Sequence, residues 1–197
     1  GRQLFVDDFL IDTSTLQRKY YYPEPYVGNP ILKPQTKIEK NEGCCPVAAT
    51  FTDGVFYDSK DGLYKMWYQA GWFDGTAYAE SLDGQNWYRP DLDVVPGTNM
   101  VLPFRKGYKR DGATVWIDHE TKDPKSRYKL FVFFRKNEVE EIGELYISSD
   151  GIHWNGPTIT GPCGDASSFF YNPFRKKWVF SIRKVDVEGD FHYRYRQ

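Results

Sequence analysis

The apolar residues of this chain fall in strand-sized runs, of which residues 130–134 form one of the longest, and polar turn chemistry separates them. The runs come in pairs. Residues 55–58 precede 64–68, residues 115–118 precede 128–132, and residues 169–172 precede 177–180. Six Asp-Gly steps, at Asp53, Asp61, Asp74, Asp83, Asp111 and Asp150, supply the turn chemistry that antiparallel hairpins need. After each of the first two pairs a third run follows, at 76–80 and at 143–148, and then a hairpin and a short outer run carrying Trp87 or Trp154. Each unit therefore predicts one four-stranded antiparallel sheet. Lys129-Leu130-Phe131-Val132-Phe133-Phe134 is apolar on both faces of its pleat, so such a sheet must be covered on both sides.

The units are copies of one pattern. Ser81-Leu82-Asp83-Gly84-Gln85-Asn86-Trp87 returns as Ser149-Asp150-Gly151-Ile152-His153-Trp154, with Ser148 as an alternative start, and both Asp83 to Asp150 and Trp87 to Trp154 span 67 positions. Four-stranded sheets repeated in this way and stacked radially make a β-propeller. The expected fold is an all-β propeller, with two complete blades near residues 47–90 and 111–160 and a partial third from about 164. Because the third unit stops after a strand at 191–195, the chain reads as the N-terminal part of a longer ring whose remaining blades are its partners. Residues 44–197 then hold blades one, two and part of three, and residues 1–43 form a Pro-rich leading segment whose run at 4–11 is a candidate ring-closing strand.

Composition agrees with strands rather than helices. Phe, Trp and Tyr number 14, 6 and 15, against 7 Ala and 10 Leu, and aromatic side chains fit pleated, buried surfaces. Lys and Arg number 26 and Asp and Glu 27, for a net charge of −1 with no long block of one sign. That balance argues against nucleic acid and anionic membrane as partners. No apolar run approaches the roughly 20 residues of a membrane span. Residues 1–8 lack the basic and long apolar regions of a secretory signal, as a mature chain would. The neighbours Cys44 and Cys45, with Cys163, imply no disulfide framework, and the three histidines share no ligand spacing with them, so neither a metal nor a cofactor is expected.

Several elements together resemble bacterial propeller glycosidases. They are Arg2-Gln3-Leu4-Phe5-Val6-Asp7-Asp8-Phe9-Leu10-Ile11-Asp12, Asn29-Pro30-Ile31-Leu32, Tyr64-Lys65-Met66-Trp67-Tyr68, the two Asp-Gly-x-x-Trp hairpins and Asn172-Pro173-Phe174. The pattern is similar to the five-bladed clan of arabinanases, xylosidases and invertases, glycoside hydrolase families 43 and 32, and the hairpin resembles the structural Asp-box of sialidases. The resemblance implies a funnel at the ring axis where successive blades present an Asp, an Asp and a Glu to a sugar.

Here Asp111 stands seven residues before Asp118, and Asp165 seven before Asn172, so two carboxylates open equivalent strands. The first unit breaks the pattern, because Phe51 stands seven before Asp58; its nearest acids are Glu42 and Asp53, and Glu42 is the favoured candidate. An Asp in the third unit where the clan has Glu is a second departure. Asp111 with Gly112 behind it equally suits a turn, and Glu42 lies in a charged stretch that suits a solvated loop. Asp83 and Asp150 read as hairpin residues whose carboxylates accept backbone N–H bonds. Trp72 suits either sugar stacking or packing between blades; Arg135 and Arg183, in matching contexts, suit either a substrate or a structural ion pair.

The expectation is a secreted or periplasmic glycoside hydrolase acting on a carbohydrate through paired carboxylates, with Asp165 as acid, Glu42 as base or nucleophile and Asp111 orienting the sugar. A carbohydrate-binding propeller without catalysis is the alternative. A WD40-type interaction propeller lacks support, because the Gly-His and Trp-Asp signatures are missing.

Overall fold

The computed structural model describes residues 7–137, 140–188 and 191–196, with backbone alone from residue 185 onward. The described fold is all-β, with 6% helix and 45% strand. The first repeat comprises β1 (Ala48–Asp58), β2 (Leu63–Ala70), β3 (Gly75–Ser81) and β4 (Met100–Leu102). The second comprises β5 (Tyr108–Ile117), β6 (Tyr128–Lys136), β7 (Glu140–Ser148) and β8 (Asn155–Gly161). Each is a four-stranded antiparallel sheet in simple sequence order. Beyond them β9 (Ser168–Asn172) pairs with β10 (Lys177–Ser181), and β11 (Arg183–Glu188) pairs with β12 (Phe191–Arg196) as a separate two-stranded sheet.

Two boundaries differ from the sequence reading. The outer strand of the first sheet is not the run carrying Trp87: Tyr88 makes only an isolated bridge to Glu80, and the sheet is completed by β4 at residues 100–102. Asn99 ties the returning chain to β3: its carbonyl accepts the Tyr78 N–H at 2.9 Å and its side-chain amide donates to the Tyr78 carbonyl at 2.7 Å, just ahead of the β4 pairing. The proposed ring-closing strand at 4–11 begins outside the described residues, and from Asp7 to Leu10 the backbone is bend and turn, with Ile11 N–H donating to the Asp8 carbonyl.

The two hairpins keep the expected chemistry. Asp83 accepts the N–H groups of Gln85 and Asn86, both at 2.8 Å, and Asp150 accepts those of Ile152 and His153 at 2.8 and 2.9 Å. Ser81 and Ser148 occupy the same place, each hydroxyl donating to its Asp at 2.9 Å, so Ser148 is the true counterpart in the second copy.

The sheets stack face to face. Phe56, Trp67, Tyr78 and Val101 of the first sheet pack against Val115, Leu130, Val132 and Tyr146 of the second. The Trp67 indole N–H also crosses to the Gly151 carbonyl at 2.7 Å. On its other face the second sheet presents Phe131 and Phe133 to Phe169, Trp178 and Phe180. Both faces of β6 are therefore buried, as its unbroken apolar run requires. The far face of the first sheet, with Met66, Tyr68, Ala77 and Ala79, is covered by Leu32, Ile38, Trp87 and Val95 from the connecting segments. Ile38 belongs to a single helical turn, α1 (Lys37–Lys40), held by a capping box between Thr36 and Glu39, and Leu32 precedes it. Among the described residues, no helix is long and apolar enough to cross a membrane.

Candidate functional site

Two first strands carry irregularities at the same end of the stack. In β1 the pairing with β2 jumps between Ala49 and Gly54, so residues 50–53 bulge from the ladder, and in β5 it skips Asp111 between Arg110 and Gly112. A bulge turns a strand's side chains off their regular alternation. Here the two bulges turn Phe51 and Thr52 from the first sheet, and Asp111 from the second, toward the same space. The β2–β3 turn adds Trp72 and Phe73, and the loop ahead of β9 adds Asp165 and Ala166. The result is a cleft of about 400 Å³ to which all three repeats contribute.

Main-chain contacts hold the walls in register. The Thr52 hydroxyl donates to the Ala113 carbonyl at 2.6 Å, and the Arg110 N–H donates to the Phe73 carbonyl at 3.3 Å. Below the cleft lies Arg110, completely buried among polar groups of the first sheet. Its Nε donates to Thr76 Oγ1 at 3.2 Å, its Nη1 to Gln69 Oε1 at 3.1 Å, and its Nη2 makes an ion pair with the buried Asp53. Burial pushes the guanidinium down to about 9 against the pull of the Asp111 charge, which still leaves it cationic at neutral pH.

The two acids at matched offsets do meet. Asp111 and Asp165 both line the cleft, and each is paired with the arginine that matched sequence contexts had singled out: Asp111 with Arg135 at 2.5 Å, Asp165 with Arg183 at 2.8 Å. Both arginines thus act on their own repeat's acid. Burial raises the Asp111 carboxyl above its ordinary value; Arg135 opposes the shift and the charge of Asp165 adds to it.

Trp72 also lines the cleft, about half exposed, with its ring 4.6 Å from that of Phe73. Phe51, more than half exposed, stands on the opposite strand. Glu42 is not brought to this place. It sits exposed in a 3₁₀ turn at Asn41–Gly43, with a left-handed φ of 53° that turns it to solvent. Its neighbour Glu39 is the buried one, accepting from Tyr68 Oη at 2.6 Å and Arg89 Nε at 2.7 Å, a cluster that pins the leading segment to the first sheet.

In the first repeat Asp53 follows the cleft-lining Thr52 and pairs with Arg110, the residue the sequence reading missed. Little in the sequence set it apart, because Arg110 stands between Lys109 and Asp111 in the polar first half of β5. Among the described residues no cluster of three or more His, Cys, Asp or Glu is placed to hold a metal ion. No protein-family model matches the chain, and no curated protein matches it.

Proposed function

We propose that the chain supplies the catalytic face of a β-propeller glycoside hydrolase, in which the successive sheets are blades and the cleft is the sugar site. The observation that carries this reading is the convergence of Asp111 and Asp165, from matched sequence offsets in successive repeats, on one cleft flanked by exposed aromatic rings. Glycoside hydrolysis needs one carboxyl that keeps its proton and one carboxylate that attacks or activates water. The surroundings of the pair favour Asp111 as the acid, since burial and the neighbouring charge both raise it. Asp165, paired with Arg183, takes the part of the carboxylate. These roles differ from the expected ones, in which Asp165 was the acid, Glu42 the base or nucleophile and Asp111 the residue orienting the sugar, and Glu42 has no part in them. Trp72 and Phe51 provide faces on which the apolar side of a sugar ring stacks.

The test is a panel of natural oligosaccharides and activated aryl glycosides assayed with the wild type, Asp111→Asn and Asp165→Asn. Asp111→Asn removes the transferable proton and lowers kcat on poor leaving groups by about 10²–10⁴, with a smaller loss on activated aryl glycosides. Asp165→Asn lowers both. Equal losses with Asp111→Asn on the two substrate types remove it from the acid role. A second reading, carbohydrate binding without hydrolysis, draws on the ion pairing of both carboxylates. Sugar binding that both Asn variants retain, with no turnover by the wild type, selects it.

A further inference from the structure

The neighbours Cys44 and Cys45 are both exposed, and their sulfurs lie 3.9 Å apart. Side chains of adjacent residues in an extended strand point to opposite sides, so this contact needs a special backbone. The loop supplies it: Cys44 has φ −90° and ψ 114°, and Cys45 has a left-handed φ of 49°, which folds the second side chain back toward the first. The geometry is held from outside the pair. Asn41 Nδ2 donates to the Cys44 carbonyl at 2.5 Å, the Val47 N–H donates to the Glu39 carbonyl at 2.8 Å, and the Gly71 N–H donates to the Val47 carbonyl at 3.0 Å. The loop is thus tied at its base to α1 and to the β2–β3 turn, with both sulfurs at its accessible tip.

We propose that Cys44 and Cys45 form a reversible two-electron redox site, which closes to a disulfide between adjacent residues by exchange with a small disulfide of the glutathione class. One cysteine, as its thiolate, attacks a sulfur of oxidised glutathione; a protein–glutathione S–S bond forms, the glutathione S–S bond breaks, and the first glutathione leaves and takes up a proton. The second cysteine, giving up its own proton, attacks the protein sulfur of that mixed disulfide. The Cys44–Cys45 bond forms and the second glutathione leaves, taking up the second proton. Two electrons pass from the protein thiols to the small disulfide, and the products are one protein disulfide and two reduced glutathiones.

Closure is easy to reverse for a geometric reason. Adjacent Cα atoms lie about 3.8 Å apart across a trans peptide, below the roughly 4.4–6.8 Å of ordinary disulfides. The closed ring is therefore strained, and strained, exposed disulfides are the readily reduced ones. Contact with Cys44 raises the Cys45 thiol above its ordinary value, consistent with a shared S–H···S proton in the open form. Cys163 is the contrast: it is buried against Phe131 and Phe169, and burial lifts its thiol to about 12, so it stays out of the exchange.

The experiment equilibrates the full chain in glutathione buffers of increasing oxidised fraction, quenches it in acid, alkylates free thiols under denaturing conditions and weighs the tryptic peptides. The expected result is a peptide of residues 41–60 that becomes two hydrogens lighter, carries no glutathione and no alkyl group, and returns to the dithiol in reduced glutathione, while Cys163 is alkylated throughout. Cys45→Ser should stop at one bound glutathione on Cys44, the trapped first step. A wild-type peptide that accumulates one or two glutathiones, links two chains or stays reduced at every ratio overturns the proposal. The glycosidase reading stands or falls separately, because neither cysteine lines the cleft.

Discussion

His153 stands between two carboxylates that belong to different repeats, with Nδ1 2.8 Å from Asp150 and Nε2 2.8 Å from Asp93. Asp150 first, then Asp93, raise its pKa above the ordinary value. A group raised in the folded state adds stability that is complete below its unfolded pKa of about 6.5 and is lost as pH rises through the folded value. The urea midpoint should therefore fall modestly across that window, because the pair is exposed and screened, and His153→Gln should flatten the slope. Asp58 behaves in the opposite sense. Burial opposes its ionisation, but Arg127, Tyr128 and Lys65 all donate to it and hold its carboxyl well below the usual range. The Arg127 fork is bidentate, at 2.8 and 2.6 Å, and joins the strand end of the first sheet to the second. Its stabilising share is present above the unfolded pKa of about 3.9 and is lost only as pH falls far into the acid range. Asp58→Asn leaves Arg127 without its carboxylate and Lys65 with Asp61 alone, and should cost about 3–5 kcal/mol in equilibrium unfolding.

The two Asp-Gly hairpins share a sequence pattern and a hydrogen-bond scheme, yet their glycines differ in surroundings. Gly84 and Gly151 both have left-handed φ, 73° and 81°. A Cβ at Gly84 would meet Tyr64 atoms no closer than 3.8 Å, whereas one at Gly151 would come within 2.6 Å of the Trp67 ring. Gly84→Ala should therefore cost about 1–2 kcal/mol, the left-handed backbone alone. Gly151→Ala adds overpacking of about 1–3 kcal/mol against a ring the core holds in place, and thermal melts of the two variants separate the contributions. The hairpins were legible because serine, Asp and Gly at fixed spacing dictate local bonds. The first and second strands were legible because apolar runs bounded by turns leave few alternatives. Strand β4 was not, since three residues after a long excursion carry no period of their own. The matched offset found Asp111 and Asp165, and in the first repeat it points to Phe51, which lines the same cleft but carries no carboxylate. Of that repeat's two candidate acids, Glu42 stands in an exposed turn and Asp53 is buried in its ion pair with Arg110, so neither takes the position of Phe51.

The two four-stranded sheets share one core, so neither is a separate folding unit. Trp67 sits at the centre of it, fully buried, with its ring against Phe56, Tyr78 and Tyr128 and its N–H on the neighbouring sheet. Trp67→Ala should lower stability by about 3–5 kcal/mol, and hydrogen exchange should show the slowest amides of β2 and β6 losing protection together. Protection lost in β2 alone would show that the sheets open independently. Arg110 has a consequence for how the chain is made. Its partners Asp53, Gln69 and Thr76 leave the ribosome before it does, and domains form from the N-terminal side as synthesis proceeds. Until β5 arrives, the carboxylate of Asp53 faces water and the first sheet has no reason to close its cleft end. Arrival of one guanidinium neutralises that carboxylate, fills the amide and hydroxyl of two strands and sets the floor on which Asp111 rests. Translation thus reaches a point, a few residues into the second repeat, before which the floor of the cleft cannot be assembled. A break in the connection between β4 and β5 would leave the cation and its carboxylate on separate pieces, each hydrated, so that rejoining them would require stripping water from both.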